Sequence, residues 1–166
     1  MVLAAAGNVP TVETLAAAKI LRQELPGLAV RVVNVVDLLV LDSVVGHPHR
    51  MDDDEFERLF TADRPVIFDF HGYPSAIHQL IYKRANPERF HVRGYIEEGT
   101  TTTPFDMLVR NRTSRYHLVI EALRRASGIA SQAAPIIERY TRKLEEHRRY
   151  IEREGIDPPE IRDWAW

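Results

Sequence analysis

The chain has 166 residues, of which 45% are apolar and 28% are charged, a composition typical of one globular domain with a real core. Its net charge of −2 argues against a general nucleic-acid-binding protein, and the lack of cysteine excludes disulfides, thiolate nucleophiles and cysteine-based zinc sites. No apolar run approaches the roughly 18 residues that span a bilayer, and the first residues lack the basic lead of a signal peptide. We therefore expect a cytoplasmic protein with neither a nucleic-acid nor a membrane partner.

Strands and helices alternate from the beginning of the chain. Val2–Ala6 predicts a strand with no lead-in, which a natural domain can have and which is also expected of a piece of a longer protein. Residues 12–25 then carry apolar side chains at helical spacing, and Asn8 or Thr11 would cap this helix. Only one glycine of a G-x-G-x-x-G pattern occurs in the preceding turn, which argues against dinucleotide binding. The valine-rich segment 28–36 predicts a central strand buried on both faces.

Histidines and aspartates cluster after the second strand. His47 and His49 flank Pro48, but no third ligand joins them, so loop histidines are the better interpretation. A run of acidic residues then begins a short helix, in which Asp52 forms a capping box with Glu55 and the other carboxylates match the positive end of the helix dipole. We therefore predict no metal site here.

The third and fourth strands are each followed by a polar loop. Residues 65–70 predict the third strand, which ends at His71 and Tyr73, and a helix follows over residues 75–85. Val92 and its neighbours predict the fourth strand. This alternation implies a three-layer αβα domain with a mostly parallel sheet of about four to five strands.

The loop after the fourth strand is the most distinctive stretch of the chain. It contains Thr100, Thr101, Thr102 and Thr103 in an unbroken run before Pro104. Thr103 suits a helix N-cap and Pro104 the first helical position, while the carboxylate of Asp106 can return to the cap's own N–H. In an open α/β sheet such a loop lies at the carboxyl edge, where ligands or partner surfaces meet the domain.

Two further helices follow. Residues 116–123 predict the first, which Ser127 and Gly128 stop, and Ser131 caps the second, longer helix. The apolar stripe of the longer helix comprises Ile137, Tyr140, Leu144, His147 and Ile151. Charges of both signs alternate on its other faces, which is typical of a solvated surface.

The last twelve residues form a predicted docking tail. Trp164 and Trp166 carry large apolar surfaces that should pack on this domain, on a second copy or on another domain. We therefore divide the chain into a single α/β domain over residues 1–154 and a docking tail over residues 155–166.

Candidate chemistry lies at the ends of the third and fourth strands. His71 and Tyr73 follow one strand, and Glu97, Glu98 and the threonines follow the other. A histidine beside a glutamate can act as a general base with its orienting group, so a small hydrolase using His71 is one hypothesis. No serine occupies a nucleophile-elbow pattern, however, and no metal triad is evident.

Several motifs resemble the C-terminal domain of phosphoketolase. They are the Val32–Leu38 strand, the His47-Pro48-His49 loop, His71-Gly72-Tyr73-Pro74, His91-Val92-Arg93-Gly94-Tyr95, residues 97–107 with the threonine run, and the ending Pro159-Glu160-Ile161-Arg162-Asp163-Trp164. The resemblance covers essentially the whole chain and implies a fold similar to the C-terminal domain of transketolase. Phosphoketolases are thiamine diphosphate and Mg²⁺ enzymes, aldehyde-lyases of carbohydrate metabolism. They cleave xylulose 5-phosphate, and often fructose 6-phosphate, with phosphate to acetyl phosphate and an aldose phosphate.

The same resemblance implies that the reactive centre lies elsewhere. In this family the cofactor sits between the two preceding domains of a dimer, and this chain contains no thiamine-binding acidic-Gly-Asp motif. The chain alone is therefore predicted to be inactive and to bind no cofactor. Its expected partners are the preceding thiamine-binding domains and a second subunit.

The predicted interdomain or ligand-contact surface comprises His71, Tyr73, Glu97, Glu98, Thr100, Thr101, Thr102, Thr103, Trp164 and Trp166. One alternative is that the hydroxyl-rich loop and the helix beginning at Pro104 bind an anion, since helix N-termini suit phosphate. Glu97 and Glu98 disfavour a strongly anionic ligand at that place. A stand-alone regulatory domain that binds a small molecule or an anion is the other alternative.

Overall fold

The computed structural model describes residues 1–43, 48, 50–96, 99 and 101–165. The strands are Val2–Ala6 (β1), Arg31–Asn34 (β2), Val66–Phe70 (β3) and Phe90–Arg93 (β4). The helices are Asn8–Glu24 (α1), Asp53–Phe60 (α2), Pro74–Ile81 (α3), Pro104–Arg110 (α4), Arg115–Arg125 (α5), Ala130–Glu154 (α6) and Pro159–Arg162 (α7). Short 3₁₀ turns occupy Leu38–Leu41 and Pro87–Arg89.

The four strands form one parallel sheet in the order β2-β1-β3-β4. Helices α1, α5 and α6 cover one face through a cluster that includes Leu3 and Ile67 of the sheet. Helices α2 and α3 cover the other face, where Val2, Ala4 and Phe68 point. The predicted three-layer αβα class is thus confirmed.

The valine-rich second strand does not lie where the sequence placed it. Strand β2 pairs with β1 alone and is an edge strand, so the prediction of a central position buried on both faces is wrong. Arg31 and Asn34 are exposed, and Val33 is the one buried residue of the strand. A run of β-branched residues indicates a strand but not how many neighbours it has, and the alanine-rich β1 takes the fully buried central place.

Helix starts agree with the sequence at two places and differ at two. The capping box at α2 is confirmed, with Glu55 N–H donating to Asp52 at 2.7 Å and Asp52 N–H donating to Glu55 at 3.2 Å. Thr103 is confirmed as the N-cap of α4. In contrast, α1 begins after Gly7 without a side-chain cap, and α6 begins one residue before Ser131. A helix end is defined only to within one or two residues, so a favourable cap residue does not fix the first residue of a helix.

The tail forms α7 and returns to the domain, as its contacts below show. No helix in the described ranges is long and apolar enough to cross a membrane.

Candidate functional site

The sheet order creates a crevice between the carboxyl ends of β1 and β3. The chain leaves β1 toward β2 on one side, whereas β3 and β4 lie on the other, so this is the topological switch point of the sheet. Gly7 follows β1 and His71 follows β3 at this place. The His71 Nδ1 lies 3.1 Å from the carbonyl oxygen of Ala6, which fixes the ring across the crevice.

Gly7 is required for this close approach. Its φ is 105°, a value that favours glycine, and a Cβ at this position would lie 2.3 Å from His71 Nδ1. The backbone at the start of α1 therefore packs directly against the imidazole ring of His71. Any larger residue at position 7 would push His71 out of the crevice.

A groove of about 710 Å³ opens at this switch point, and we call it the carboxyl-edge groove. Its walls come from the start of α1, the end of β3, helix α4 and the tail, and most of the lining is apolar. Val9 and Val12 of α1 lie on this wall and are 52% and 42% exposed. The groove is thus largely apolar, and the part of its wall that α1 contributes is exposed to solvent.

Two motifs singled out in the sequence meet beside the groove. The Tyr95 N–H donates to the Gly72 carbonyl at 2.9 Å, and the rings of Tyr73 and Tyr95 pack edge to face with centroids 5.7 Å apart. Gly94 permits this contact, because a Cβ there would lie 2.3 Å from the Gly72 carbonyl oxygen. Residues 72–73 after β3 and residues 94–95 after β4 therefore form one surface.

The start of α4 is bound by a carboxylate of the tail. The Thr103 hydroxyl donates to Asp157 Oδ1 at 2.5 Å, and the Phe105 N–H donates to Asp157 Oδ2 at 3.0 Å. Asp157 is buried and lies 54 residues from Thr103 in the chain. The positive end of this short helix is thus neutralised from within the protein.

Asp106 has a different role from the one expected. The prediction that its carboxylate returns to the cap N–H is wrong, because Oδ2 accepts from Arg110 Nε at 2.9 Å and Oδ1 lies 3.4 Å from His147 Nε2. Burial would raise the pKa of Asp106, but hydrogen bonds from Arg110 and Thr102 outweigh it and lower that pKa. Burial lowers the pKa of His147 despite the nearby Asp106 and Asp157.

Trp164 docks on its own domain. The Arg115 guanidinium lies 4.9 Å from its ring centroid, and the Lys19 ammonium lies 5.9 Å from it. The sequence left open whether this side chain packs on its own domain, on a second copy or on another domain, and the structure places it against its own domain. Trp166 lies outside the described residues.

Sequence reasoning missed the charged pair on the groove wall. Glu13 and Arg115 are 3% and 4% exposed. Arg115 donates three hydrogen bonds to the Glu13 carboxylate, from Nη2 at 2.6 Å, from Nε at 3.0 Å and from its backbone N–H at 2.7 Å. They are 102 residues apart, so no local pattern could have linked them. Nearby Asp69 is fully buried, and burial followed by the charge of Glu13 raises its pKa well above its usual value.

The predicted contact residues are only partly brought together. His71 and Trp164 line the groove, Tyr73 packs on Tyr95 of its wall, and Thr103 binds Asp157 of its wall. Thr101 is exposed and Thr102 contacts Asp106. The structure does not describe Glu97, Glu98 and Thr100, nor His47 and His49. A dyad of His71 with a glutamate of the β4 loop stays a prediction.

The groove does not fit thiamine diphosphate with its Mg²⁺. The ion needs several free oxygen ligands, but both carboxylates that line the groove among the described residues are engaged. Glu13 pairs with Arg115, and Asp157 accepts from Thr103 and Phe105. Within the described ranges no three His, Asp or Glu residues gather as a metal site would require.

Sequences of known proteins match this chain along its whole length. The profile of the XFP C-terminal domain matches residues 1–166. The chain belongs to the XFP C-terminal domain family. It is 58% identical over 166 residues to a probable phosphoketolase of Brucella abortus, 56% to one of Bradyrhizobium diazoefficiens and 54% to one of Rhodopseudomonas palustris.

Each match covers all of this chain but 21% of the relative. The XFP C-terminal domain thus spans about a fifth of the length of the relatives it matches. The resemblance inferred from the motifs is confirmed.

Proposed function

We propose that this XFP C-terminal domain docks through its carboxyl-edge groove onto the preceding domains of a phosphoketolase and supports a dimer of that enzyme. The intact enzyme, on this proposal, is a cytoplasmic thiamine diphosphate and Mg²⁺ aldehyde-lyase. It cleaves xylulose 5-phosphate or fructose 6-phosphate with phosphate to acetyl phosphate and an aldose phosphate. The cofactor, when bound to those preceding domains, supplies the carbon–carbon cleavage. This chain supplies a rigid surface and no catalytic group.

The main support for this proposal is the solvent-exposed apolar wall of the groove. Val9 and Val12 together expose a continuous patch on α1 at the one edge of the sheet where α/β domains receive ligands and partners. About four-fifths of each relative lies outside the matched region, and these additional domains are large enough to cover this patch. Tyr73, 53% exposed, extends the apolar rim on the β3 side.

An external anion at the threonine loop is disfavoured by the tail. The helix start that would bind it already holds the carboxylate of Asp157 at the Phe105 N–H and the Thr103 hydroxyl. An incoming phosphate would have to displace a buried, hydrogen-bonded side chain. A stand-alone domain that binds a small molecule has one observation in its favour, because a groove of about 710 Å³ lies within the usual range of ligand sites.

A chimera tests the docking proposal. The matched region of the Brucella abortus relative is replaced by this chain, either unchanged, with Val12→Glu in the groove, or with Leu59→Glu on α2. Val12 and Leu59 are both 42% exposed, so the two substitutions are matched in exposure and differ in location. Acetyl phosphate formation and the number of thermal transitions are then measured.

We expect the unchanged and Leu59→Glu chimeras to unfold in one transition and to form acetyl phosphate. The Val12→Glu chimera should unfold in two transitions, because a charge in the docked groove costs several kcal/mol while the isolated domain tolerates it. Equal behaviour of the two variants rejects groove docking. A thermal shift of the isolated chain by an organic acid or nucleotide, lost in Val12→Glu, favours the small-molecule alternative.

A further inference from the structure

A second concavity, on the far side of α5 from the carboxyl-edge groove, is lined by arginines. It has a volume of about 280 Å³ and shares no lining residue with the groove. Arg93 at the end of β4, Arg112 in the turn before α5 and Arg124 on α5 surround it, with His117 and Glu121 between them. We call it the arginine pocket.

Positive charge exceeds negative charge in this pocket. Glu121 is its only lining carboxylate among the described residues, and it pairs with Arg93 at 2.6 Å, with Arg124 at 3.7 Å and with the adjacent Arg125. Burial alone would raise the pKa of Glu121, but the hydrogen bond and charge of Arg93 and the charges of Arg125 and Arg124 lower it. Arg112 is exposed and forms no ion pair within the described part of the chain.

His117 lines the pocket, and its pKa responds to the surrounding positive charge. Its Nδ1 lies 2.8 Å from the hydroxyl oxygen of the fully buried Ser114, which fixes the ring. Burial, and then the charges of Arg112 and Arg93, lower the pKa of His117 to about 4. The imidazole is therefore neutral at pH 7, a hydrogen-bonding group that adds no charge of its own.

We propose that the arginine pocket binds a phosphate dianion, either free or as the terminal group of a phosphorylated small molecule, between Arg93, Arg112 and Arg124. Guanidinium groups present planar pairs of N–H donors that match phosphate oxygens, and three of them converge on one concave volume. One carboxylate leaves two of those three charges uncompensated, which a dianion would balance. The volume accommodates a phosphate with a small organic body.

The test titrates the chain with inorganic phosphate and with glycerol 3-phosphate at constant ionic strength. The pocket variant is Arg112→Gln with Arg124→Gln, which leaves Glu121 its partners Arg93 and Arg125. The matched control is Arg142→Gln with Arg148→Gln, two exposed arginines of α6 that each pair with a glutamate four residues away. Calorimetry gives the affinity, and NMR of the His117 ring gives its pKa.

We expect saturable binding of at least one probe, weakened about tenfold or more in the pocket variant and less than about twofold in the control. Binding should raise the pKa of His117, because the dianion offsets the charges of Arg112 and Arg93. Similar affinities for both probes indicate a site for the phosphate group itself, and preference for the ester indicates a phosphorylated small molecule. Absence of saturable binding, equal loss in pocket variant and control, or a His117 pKa that does not respond overturns the proposal.

Discussion

The two faces of the sheet bury different chemistry. The layer with α2 and α3, the aromatic layer, packs Phe56, Phe60 and Phe90 with ring centroids 4.7 to 5.6 Å apart. Its buried arginines, Arg84 and Arg89, donate to backbone carbonyls. The opposite layer, with α1, α4, α5 and α6, is the carboxylate layer. Its buried carboxylates are Glu13, Asp69, Asp106, Glu121 and Asp157.

The two layers differ in how their buried groups affect the stability of the fold. Burying aromatic rings stabilises the fold through area alone, whereas burying a carboxylate costs free energy unless a cation or N–H group is placed beside it. Both concavities described above lie on the carboxylate layer, with Glu13 lining one and Glu121 the other. On our two proposals the carboxylate layer is therefore the part of the domain that meets partners and ligands, and the aromatic layer stabilises the fold behind it.

Removing one partner of the buried pair should have the largest effect on stability. Glu13→Ala leaves Arg115 buried without its carboxylate and should lower the free energy of unfolding by roughly 3–5 kcal/mol in urea titrations. The double variant Glu13→Leu with Arg115→Met should recover much of that loss, because it removes both charges. A loss below about 1 kcal/mol for Glu13→Ala would mean that the pair is not held in a buried environment.

The second prediction concerns pH. His117 has a folded pKa of about 4, below the ordinary value of 6.5, so the unfolded chain binds the proton first on acidification. Its contribution is therefore present above pH 6.5 and lost as the pH falls toward 4, on the order of 3 kcal/mol at most. His117→Gln should flatten the rise of unfolding free energy between pH 4 and 6.5.

The aromatic layer provides the control for this pH dependence. Phe60→Leu should destabilise the domain by a similar amount at pH 5 and pH 7, about 1 kcal/mol, since no titrating group changes its environment. A Phe60→Leu effect that depends on pH as strongly as that of His117→Gln would remove the distinction between the two layers.

The third prediction addresses the tail. Asp157→Ala removes the carboxylate that binds Thr103 and Phe105 and should cost about 1.5–3 kcal/mol. Both tryptophans of the chain lie in the tail, so release of Trp164 should shift the fluorescence emission to longer wavelength. The exposed Asp163→Ala is the control and should leave emission unchanged. If both variants give the same spectrum, Asp157 does not anchor the tail.

The last prediction is a gain of stability. Neither oxygen of Asp69 has a well-formed hydrogen bond within the described residues, and burial followed by the charge of Glu13 raises its pKa. Because the unfolded carboxyl releases its proton first, stability falls as the pH rises from 3.8 toward the folded pKa. Asp69→Asn cannot ionise and should stabilise the domain at pH 7. Denaturant midpoints that are lower for Asp69→Asn would show that the charged form is needed.

Local sequence patterns predicted the elements of this fold well. Thr103 before Pro104 and Asp52 before Glu55 fix their helix starts through contacts only a few residues apart. The order of strands was not available in this way, because the valines of β2 satisfy the same pattern on an edge strand as on a central one.

The site was harder to predict because its contacts are long-range. The loop motifs at His71 and Tyr95 were identified, but their meeting required the register of β3 and β4. Asp157 and Arg115 find their partners 52 and 102 residues away. Neither position differs locally from an ordinary surface carboxylate or arginine, so only the packed structure reveals them.

Thiol labelling shows directly whether the carboxyl-edge groove is covered in the longer enzyme. The chain has no cysteine, so Val9→Cys and, on α2, Leu59→Cys each introduce one thiol into the 166 residues. Reaction rates with a thiol reagent are read by mass spectrometry in the isolated chain and in the chimera with the Brucella abortus relative. We predict that Val9→Cys reacts at least about tenfold more slowly in the chimera, while Leu59→Cys reacts equally in both. Equal rates for Val9→Cys in the two contexts would contradict docking through the carboxyl-edge groove.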